Sequence, residues 1–353
     1  MGAKDYPWML YGATGRSGEL IARKAVARGF RPVLAGRDAR MVRKIAEELD
    51  LPWRAFEMGD WGKFRREISS VSLLVNAAGP LLQTSVLVAE SCLTARTHYF
   101  DLTNQIPSLV AMYTLDAEAK EKNLTLLPGL ALSPAASNCL VKHLHTLLPE
   151  ADSVDIALDP FIKTYMPGAN LTVAENIIHG GFVRRNGVLE RSWFGSRLVE
   201  MKSPTGSRTL LTAALGDVEA AYRCTRLPDI TTYIVAEVPL SVDRHWEAPP
   251  LSTLCPFAEP TSEDLSNREN NRCSIVWVRM SKLGEKSLEG WLQFGEGREF
   301  SADVVVAGVS RLASDNELCT GAHTAATALG SDFILELPDV KRVVSSSDTK
   351  LQV

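Results

Sequence analysis

Gly12, Gly15 and Gly18 stand three residues apart in the stretch YGATGRSG, and Arg37 follows a glycine in the stretch AGRD. Glycines at this spacing let a backbone turn tightly and approach an anion with no Cβ in the way. Where a helix begins at such a turn, its free N–H groups and its dipole face the same anion. Thr14, Arg16 and Ser17 lie inside the turn. The chemistry implied is capture of a pyrophosphate, which makes Gly12, Thr14, Gly15, Arg16, Ser17 and Gly18 candidate cofactor-binding residues. The end of the second strand then selects the nucleotide. A site for NAD places Asp or Glu there, to accept from the ribose 2′-hydroxyl. Here Arg37 follows Gly36, and a guanidinium can hold a 2′-phosphate in bidentate fashion and stack on adenine. The residues therefore predict NADP(H), a preference that Asp38 would reverse if it faced the ribose. Asp60 is a candidate for the adenine amino group, or else a turn residue at the surface.

A second set of candidates lies at the ends of later strands. Asn76, Ala78, Gly79 and Pro80 belong to NAAGP, where small residues would let the nicotinamide ribose lie against the backbone. Tyr99 and Asp101 alternate with Phe100, so they share the face opposite to it. They are candidates for proton donation or for orienting the nicotinamide carboxamide, or else a buried tyrosine and a capping aspartate. Tyr165 precedes Met166-Pro167-Gly168 and is the candidate hydroxyl donor from a second domain, since a phenol keeps its proton at neutral pH. His179, Asp217 and Tyr222 are lesser candidates, and Arg184-Arg185 reads as a solvated pair. No metal site is expected. His143 and His145 lack a third ligand, and the six cysteines show no C-x-x-C spacing.

The elements needed to position these groups are legible in the first half of the chain. Apolar strands are predicted at 8–11, 32–36, 53–57, 71–76, 98–101 and 124–127. Helical stretches, among them ELIARKAVARGF with its closing Gly29, alternate with them. That alternation predicts a parallel, doubly wound sheet. Beyond about residue 150 the pattern changes to strand-like runs such as TTYIVAEVPL, CSIVWVRM and SLEGWLQF. The last two suggest an antiparallel hairpin turning at Gly284. Residues 248–272 read as a long exposed connection or a lid, residues 303–330 as helical, and SSSDTKLQV as a frayed tail. The expected class is α/β: an N-terminal Rossmann dinucleotide-binding domain over 1–150, and an α+β substrate and oligomerisation domain on a mixed or antiparallel sheet over 151–310. A C-terminal segment, 311–353, is expected to return to the first domain.

Composition limits the partners. The formal net charge of −4 gives no general electrostatic reason to bind nucleic acid or an anionic membrane. No apolar run approaches the ~20 residues that span a bilayer, and the N-terminus has no signal-peptide anatomy. Tyr6 stands where myristoylation wants Ser or Thr. The reading is a cytoplasmic protein with reduced thiols and a small-molecule substrate.

YGATGRSG, VLAGRD, NAAGP and HYFDLTNQ together resemble, in order and spacing, the saccharopine dehydrogenase-like oxidoreductases, and among them the trans-acting enoyl reductases. The resemblance continues through MPGANLTVAENIIHGGFVRRNGVLE, GDVEAAYRCTRLPDITTYI and GAHTAATALGSDFI, to about residue 335. It implies hydride transfer from NADPH to a polarised C=N or C=C bond, the latter in a polyketide-type intermediate, and a homodimer formed through the second domain's sheet. Where the family often writes P-G-F-G-F-D-S-V-P-S-D, this chain has Pro128 to Asn138, with Ser133 and Asn138 in place of both aspartates. Two lost negative charges favour a neutral, apolar substrate, such as a specialised metabolite of polyketide or alkaloid type, over a cationic amino acid. They also keep open a redox-neutral cyclase or isomerase on the same scaffold. A non-catalytic nucleotide-binding homologue is the remaining alternative, which the intact glycines and Arg37 oppose.

Overall fold

A computed structural model describes residues 6–160, 181–203, 206–235, 273–282, 286–314, 319–346 and 349–351. The chain forms two units, Met1–Ala135 with Arg298–Leu337, and Ala136–Gly297 with Pro338–Val353.

The first unit is built on strands β1 (Trp8–Tyr11), β2 (Val33–Gly36), β3 (Trp53–Ala55), β4 (Leu73–Asn76), β5 (His98–Asp101) and β6 (Thr125–Leu127). A seventh strand, β15 (Gly321–Ala322), joins from far along the chain. All pair in parallel, in the order β15-β6-β5-β4-β1-β2-β3. β1 and β4 are buried along their whole length, as strands covered on both faces must be. The crossovers are α1 (Arg16–Ala27), α2 (Ala39–Leu49), α3 (Trp61–Ile68), α4 (Leu81–Ala95), α5 (Ile106–Thr114) and α6 (Asp116–Glu121). α1 buries Gly18, Ile21, Ala22 and Ala25, the stripe its helical period predicts. It stops at Gly29, whose φ of +83° lets Gly29 N–H reach Val26 O and Phe30 N–H reach Ala25 O.

The second unit carries a ten-stranded mixed sheet. Its path is β10 (Leu198–Ser203), β11 (Gly206–Thr212), β12 (Asp229–Val235), β7 (Ser153–Asp159), β13 (Ser274–Ser281), β14 (Ser287–Phe294), β16 (Lys341–Ser346) and β17 (Thr349–Leu351). β12 and β7 pair in parallel, and β13 and β14 form the expected antiparallel ladder. β8 (Gly181–Arg185) pairs with β12 and with β9 (Val188–Ser192). Asn186 and Gly187 both have positive φ, as the two-residue turn between β8 and β9 requires. α7 (Leu132–Leu147) runs unbroken through the residues where the two units divide, and α8 (Asp217–Thr225) belongs to the second unit.

Several expectations are revised. The first unit runs to Ala135, inside α7, where the sequence pattern places a boundary near 150. The returning segment is α9 (Gly297–Ser314), β15 and α10 (Ala325–Ala328), and it stops at Leu337. The supposed frayed tail instead supplies β16 and β17 to the second sheet. α3 escaped the sequence pattern, being only eight residues with two buried side chains. The turn at Gly284 and the connection 248–272 lie outside the described residues. No helix among the described residues is long and apolar enough to cross a membrane.

Arg184, read as half of a solvated pair, is buried. Its guanidinium donates to Glu219 Oε2 at 2.5 Å and to Gly187 O at 2.7 Å, and it lies 3.5 Å from the Tyr222 ring centroid. Removing the cation leaves the buried Glu219 carboxylate uncompensated. Arg184→Leu is expected to cost about 3 kcal/mol in urea unfolding, the range for breaking a buried ion pair. A loss within ~0.5 kcal/mol, as at an ordinary surface site, would show that the pair contributes nothing.

Candidate functional site

The glycine turn is fixed by backbone contacts on three sides. Gly12 N–H and Ala13 N–H both donate to Ala35 O of β2, at 2.9 and 3.1 Å, and Ala77 N–H donates to Tyr11 O at 2.8 Å. Gly12 has φ +87°, and a Cβ there would lie 2.6 Å from Ala78 N. A Cβ on Gly18 would lie 2.1 Å from Gly12 O. These two glycines are thus required by packing. Gly15 differs. It is exposed, has φ −77°, and a Cβ would meet only Gly12 O, at 3.3 Å. It is also the N-cap of α1, and no side chain caps that helix. A glycine N-cap brings no capping side chain to this helix end, where the dipole is positive. This end of α1 could take an anion, and Gly15 leaves the approach open.

At the tip of β2, Asp38 and Arg37 separate. Asp38 Oδ1 accepts from Met41 N–H at 3.0 Å and so caps α2. Arg37 is exposed, and its charge is felt at the Tyr11 phenol. That phenol is pushed up to about 12, by burial first and by Glu57 second, with Arg37 opposing. Tyr11 O–H donates to Phe56 O at 2.9 Å, and Tyr11, Phe56, Phe64 and Trp61 form an edge-and-tilt aromatic cluster under this tip. Arg40, not singled out in the sequence, is exposed in the first turn of α2, three residues after Arg37. Asp60, proposed for adenine, caps α3 through Lys63 N–H at 2.9 Å. Any adenine contact must share that carboxylate.

The candidates at β4 and β5 are placed differently from what their types suggested. Asn76, Tyr99 and Asp101 are 0, 0 and 1% exposed. Tyr99 O–H donates to Asp101 Oδ2 at 2.8 Å and accepts from Asn76 Nδ2 at 3.3 Å. Asn76 Oδ1 accepts from Ala78 N–H at 3.1 Å. Asp101 Oδ1 accepts from Thr103 N–H and Gly129 N–H, both at 2.9 Å, and its carbonyl accepts from Leu130 N–H at 2.7 Å. Burial pushes the Asp101 carboxyl up to about 6 against these hydrogen bonds, and pushes the Tyr99 phenol well above its ordinary range. Of the two readings of Tyr99 and Asp101, proton donor or buried hydrogen-bonded pair, this geometry suits the second, and Asn76 is buried with them. All three side chains face the interior, and the groups open at the same edge are Ala77, Ala78, Gly79 and Pro80. Sequence alternation identified the shared face of Tyr99 and Asp101, but which face was covered depended on helix packing.

The remaining candidates divide. Ser133 and Asn138 lie in the first turns of α7, both buried. The Asn138 amide is buried beside the Cys224 thiol, a burial that a neutral amide bears far more cheaply than a carboxylate would. Ser137 Oγ donates to Asp217 Oδ1 within the second unit, so Asp217 is a buried partner of α7. Tyr222 stacks on Arg184. Tyr165 and His179 lie outside the described residues. No group of three or more His, Cys, Asp or Glu among the described residues is arranged to hold a metal.

No family model matches the sequence, and no curated protein matches it. Solved structures do. Apo saccharopine dehydrogenase (L-Glu forming) from Saccharomyces cerevisiae aligns with a TM-score of 0.61 at 12% identity, over 96% of this chain and 100% of the yeast chain. GenD2 from gentamicin A biosynthesis, in complex with NAD, aligns with a TM-score of 0.46 at 11% identity over 94% and 92%. An oxidoreductase domain protein from Kribbella flavida aligns with a TM-score of 0.45 at 14% identity over 89% and 91%. The chain is thus similar in fold to saccharopine dehydrogenase, along nearly the full length of both proteins.

The two kinds of glycine separate by experiment. Gly18→Ala is expected to lower stability by about 2 kcal/mol or more in denaturant unfolding, since backbone must move to admit the methyl. Gly15→Ala is expected to stay within ~0.5 kcal/mol of the parent. Equal losses would refute the division between packing and ligand-facing glycines.

Proposed function

We propose that this protein is an oxidoreductase of the saccharopine dehydrogenase-like kind, which binds NADPH and reduces a polarised C=C or C=N bond of a small, uncharged substrate. The observation that carries the reading is the division of labour at β2. Asp38 is spent on the α2 cap, and Arg37 is left as the exposed charge beside the turn. The bound dinucleotide would supply the hydride. The chain's own residues would hold and orient it. Arg16, Ser17 and Gly18 would offer first-turn amides to the pyrophosphate, with Gly15 leaving room for it, Gly12 shaping the turn and Thr14 beside it. Arg37 would pair with the 2′-phosphate, and Arg40 adds a second positive charge nearby. Asp60 would reach the adenine amino group at its edge. Ala78, Gly79 and Pro80 would lie against the nicotinamide ribose. The crevice of a parallel sheet opens outside the carboxyl ends of its strands, which is where this edge lies.

Proton delivery is assigned to Tyr165 rather than to Tyr99 or Asp101. A donor must reach the substrate within hydrogen-bond distance, and the two buried groups are already engaged with each other. Ser133 and Asn138 bring no charge to the chemistry, in keeping with an uncharged substrate.

Titration by quenching or transfer of reduced-nicotinamide fluorescence tests the cofactor. Arg37→Ala is expected to weaken NADPH by about tenfold or more, the scale of one lost charge-assisted pair, and NADH by much less. Equal weakening of both would refute the 2′-phosphate assignment, and no binding of either would refute the reductase reading.

A further inference from the structure

The buried side chains of Asn76, Tyr99 and Asp101 touch three loops that leave consecutive carboxyl ends of the sheet. Asn76 holds the amide of Ala78 after β4. Asp101 holds the amide of Thr103 after β5 and that of Gly129 after β6. Tyr99 joins the two, donating one way and accepting the other. We propose that these three residues form a positioning relay, which sets the loops at 77–80, 102–105 and 128–131 in the mutual geometry needed by the nicotinamide half of the dinucleotide. The proposal rests on the dinucleotide reading above.

The chain of bonds has a direction, and that direction depends on one proton. With Asp101 ionised, every neighbour donates toward it: Tyr99 O–H, Thr103 N–H and Gly129 N–H. A protonated Asp101 must itself donate, and of these groups only the Tyr99 oxygen can accept. Tyr99 must then turn its hydrogen to Asn76, and Asn76 must turn its oxygen to Tyr99. The amide NH₂ of Asn76 would then face Ala78 N–H, which loses its acceptor. Protonation at one end thereby frees the loop at the other. The titratable groups facing Asp101 are the Tyr99 phenol and, beyond it, the Cys92 thiol of α4, both kept neutral by burial. Among the described residues no charged side chain contributes to the Asp101 shift.

The sign of the pH effect distinguishes this relay from mere structure. The folded carboxyl titrates above its unfolded value. The folded state therefore binds more protons between about pH 4 and about pH 6, and this group lowers global stability as pH rises through that window. Acidification should loosen the loop at 77–80 while this group's contribution to global stability grows.

Tyr99→Phe keeps the ring in the core and removes both relay bonds, and Asp101→Asn fixes a neutral side chain. Amide hydrogen exchange of the nucleotide-free protein, corrected for intrinsic rate, reads the loops, and NADPH fluorescence reads the site. In Tyr99→Phe, peptides covering 77–80 and 128–131 are expected to exchange about tenfold faster, with β1 and β2 still protected, and NADPH to bind about tenfold more weakly. In the parent, the loop at 77–80 should loosen from about pH 7.5 to about pH 5.5, across the Asp101 titration. In Asp101→Asn that pH dependence should vanish. Faster exchange confined to the neighbourhood of residue 99, uniform loosening of the whole sheet, or an unchanged pH profile in Asp101→Asn would each overturn the relay. Failure of the parent to bind NADPH would instead overturn the dinucleotide reading, a separate result from loops that stay unchanged in a parent that binds it.

Discussion

Three stretches of backbone converge on Gly12 with no room between them for a β-carbon. The turn after β1, the end of β4 and the start of α1 approach within distances that only hydrogen can fill. The same turn is hydrogen-bonded to β2 through Ala35 O. The phosphate-binding geometry is therefore a property of the sheet as a whole and not of a mobile loop laid upon it. The aromatic cluster of Tyr11, Phe56, Phe64 and Trp61 extends the same constraint toward the adenine end. In this molecule the core and the candidate site share residues, so a change that loosens one is felt in the other.

Carboxylates show how environment outranks residue type. Asp38 and Asp60 are both exposed, both precede a helix, and both cap it. Asp101 is sealed in and accepts from three donors at the junction of two loops. Asp217, equally sealed, meets a serine hydroxyl of α7. The side chain is the same in all four cases. What differs is which backbone amides stand open nearby and whether water can reach them.

Much of this was readable from residue order. The alternation of short apolar strands with helical periods predicts the parallel sheet, and each of the first six strands is found where it was expected, to within a few residues. The glycine turn and Arg37 are likewise local signals. What escaped is non-local. β15 is two residues long and makes sense only beside β6. The tail SSSDTKLQV reads as frayed, yet Ser345 and Ser346 end β16, which pairs along its length with β14, and Thr349–Leu351 pair back on β16. Arg184 reads as a surface charge until Glu219 and Tyr222, over thirty residues on, are folded against it. Tyr99 and Asp101 have side chains suited to catalysis. Only the packing of α4 and α5 over that face shows that they are enclosed.

The return of residues 298–337 to the first unit has a consequence for synthesis. Asp303 of α9 takes Lys24 and Arg28 as partners, Asp116 accepts from Ala322 N–H, and a Cβ on Gly308 would strike Leu130. The parallel sheet is thus completed by residues made long after its first six strands. At ~5–20 residues per second, β6 waits roughly ten to forty seconds for its neighbour to leave the ribosome. During that interval its outer edge is a row of unpaired peptide groups, open to any extended chain that passes. The nascent protein is most exposed to mispairing at the edge that its own last third will cover.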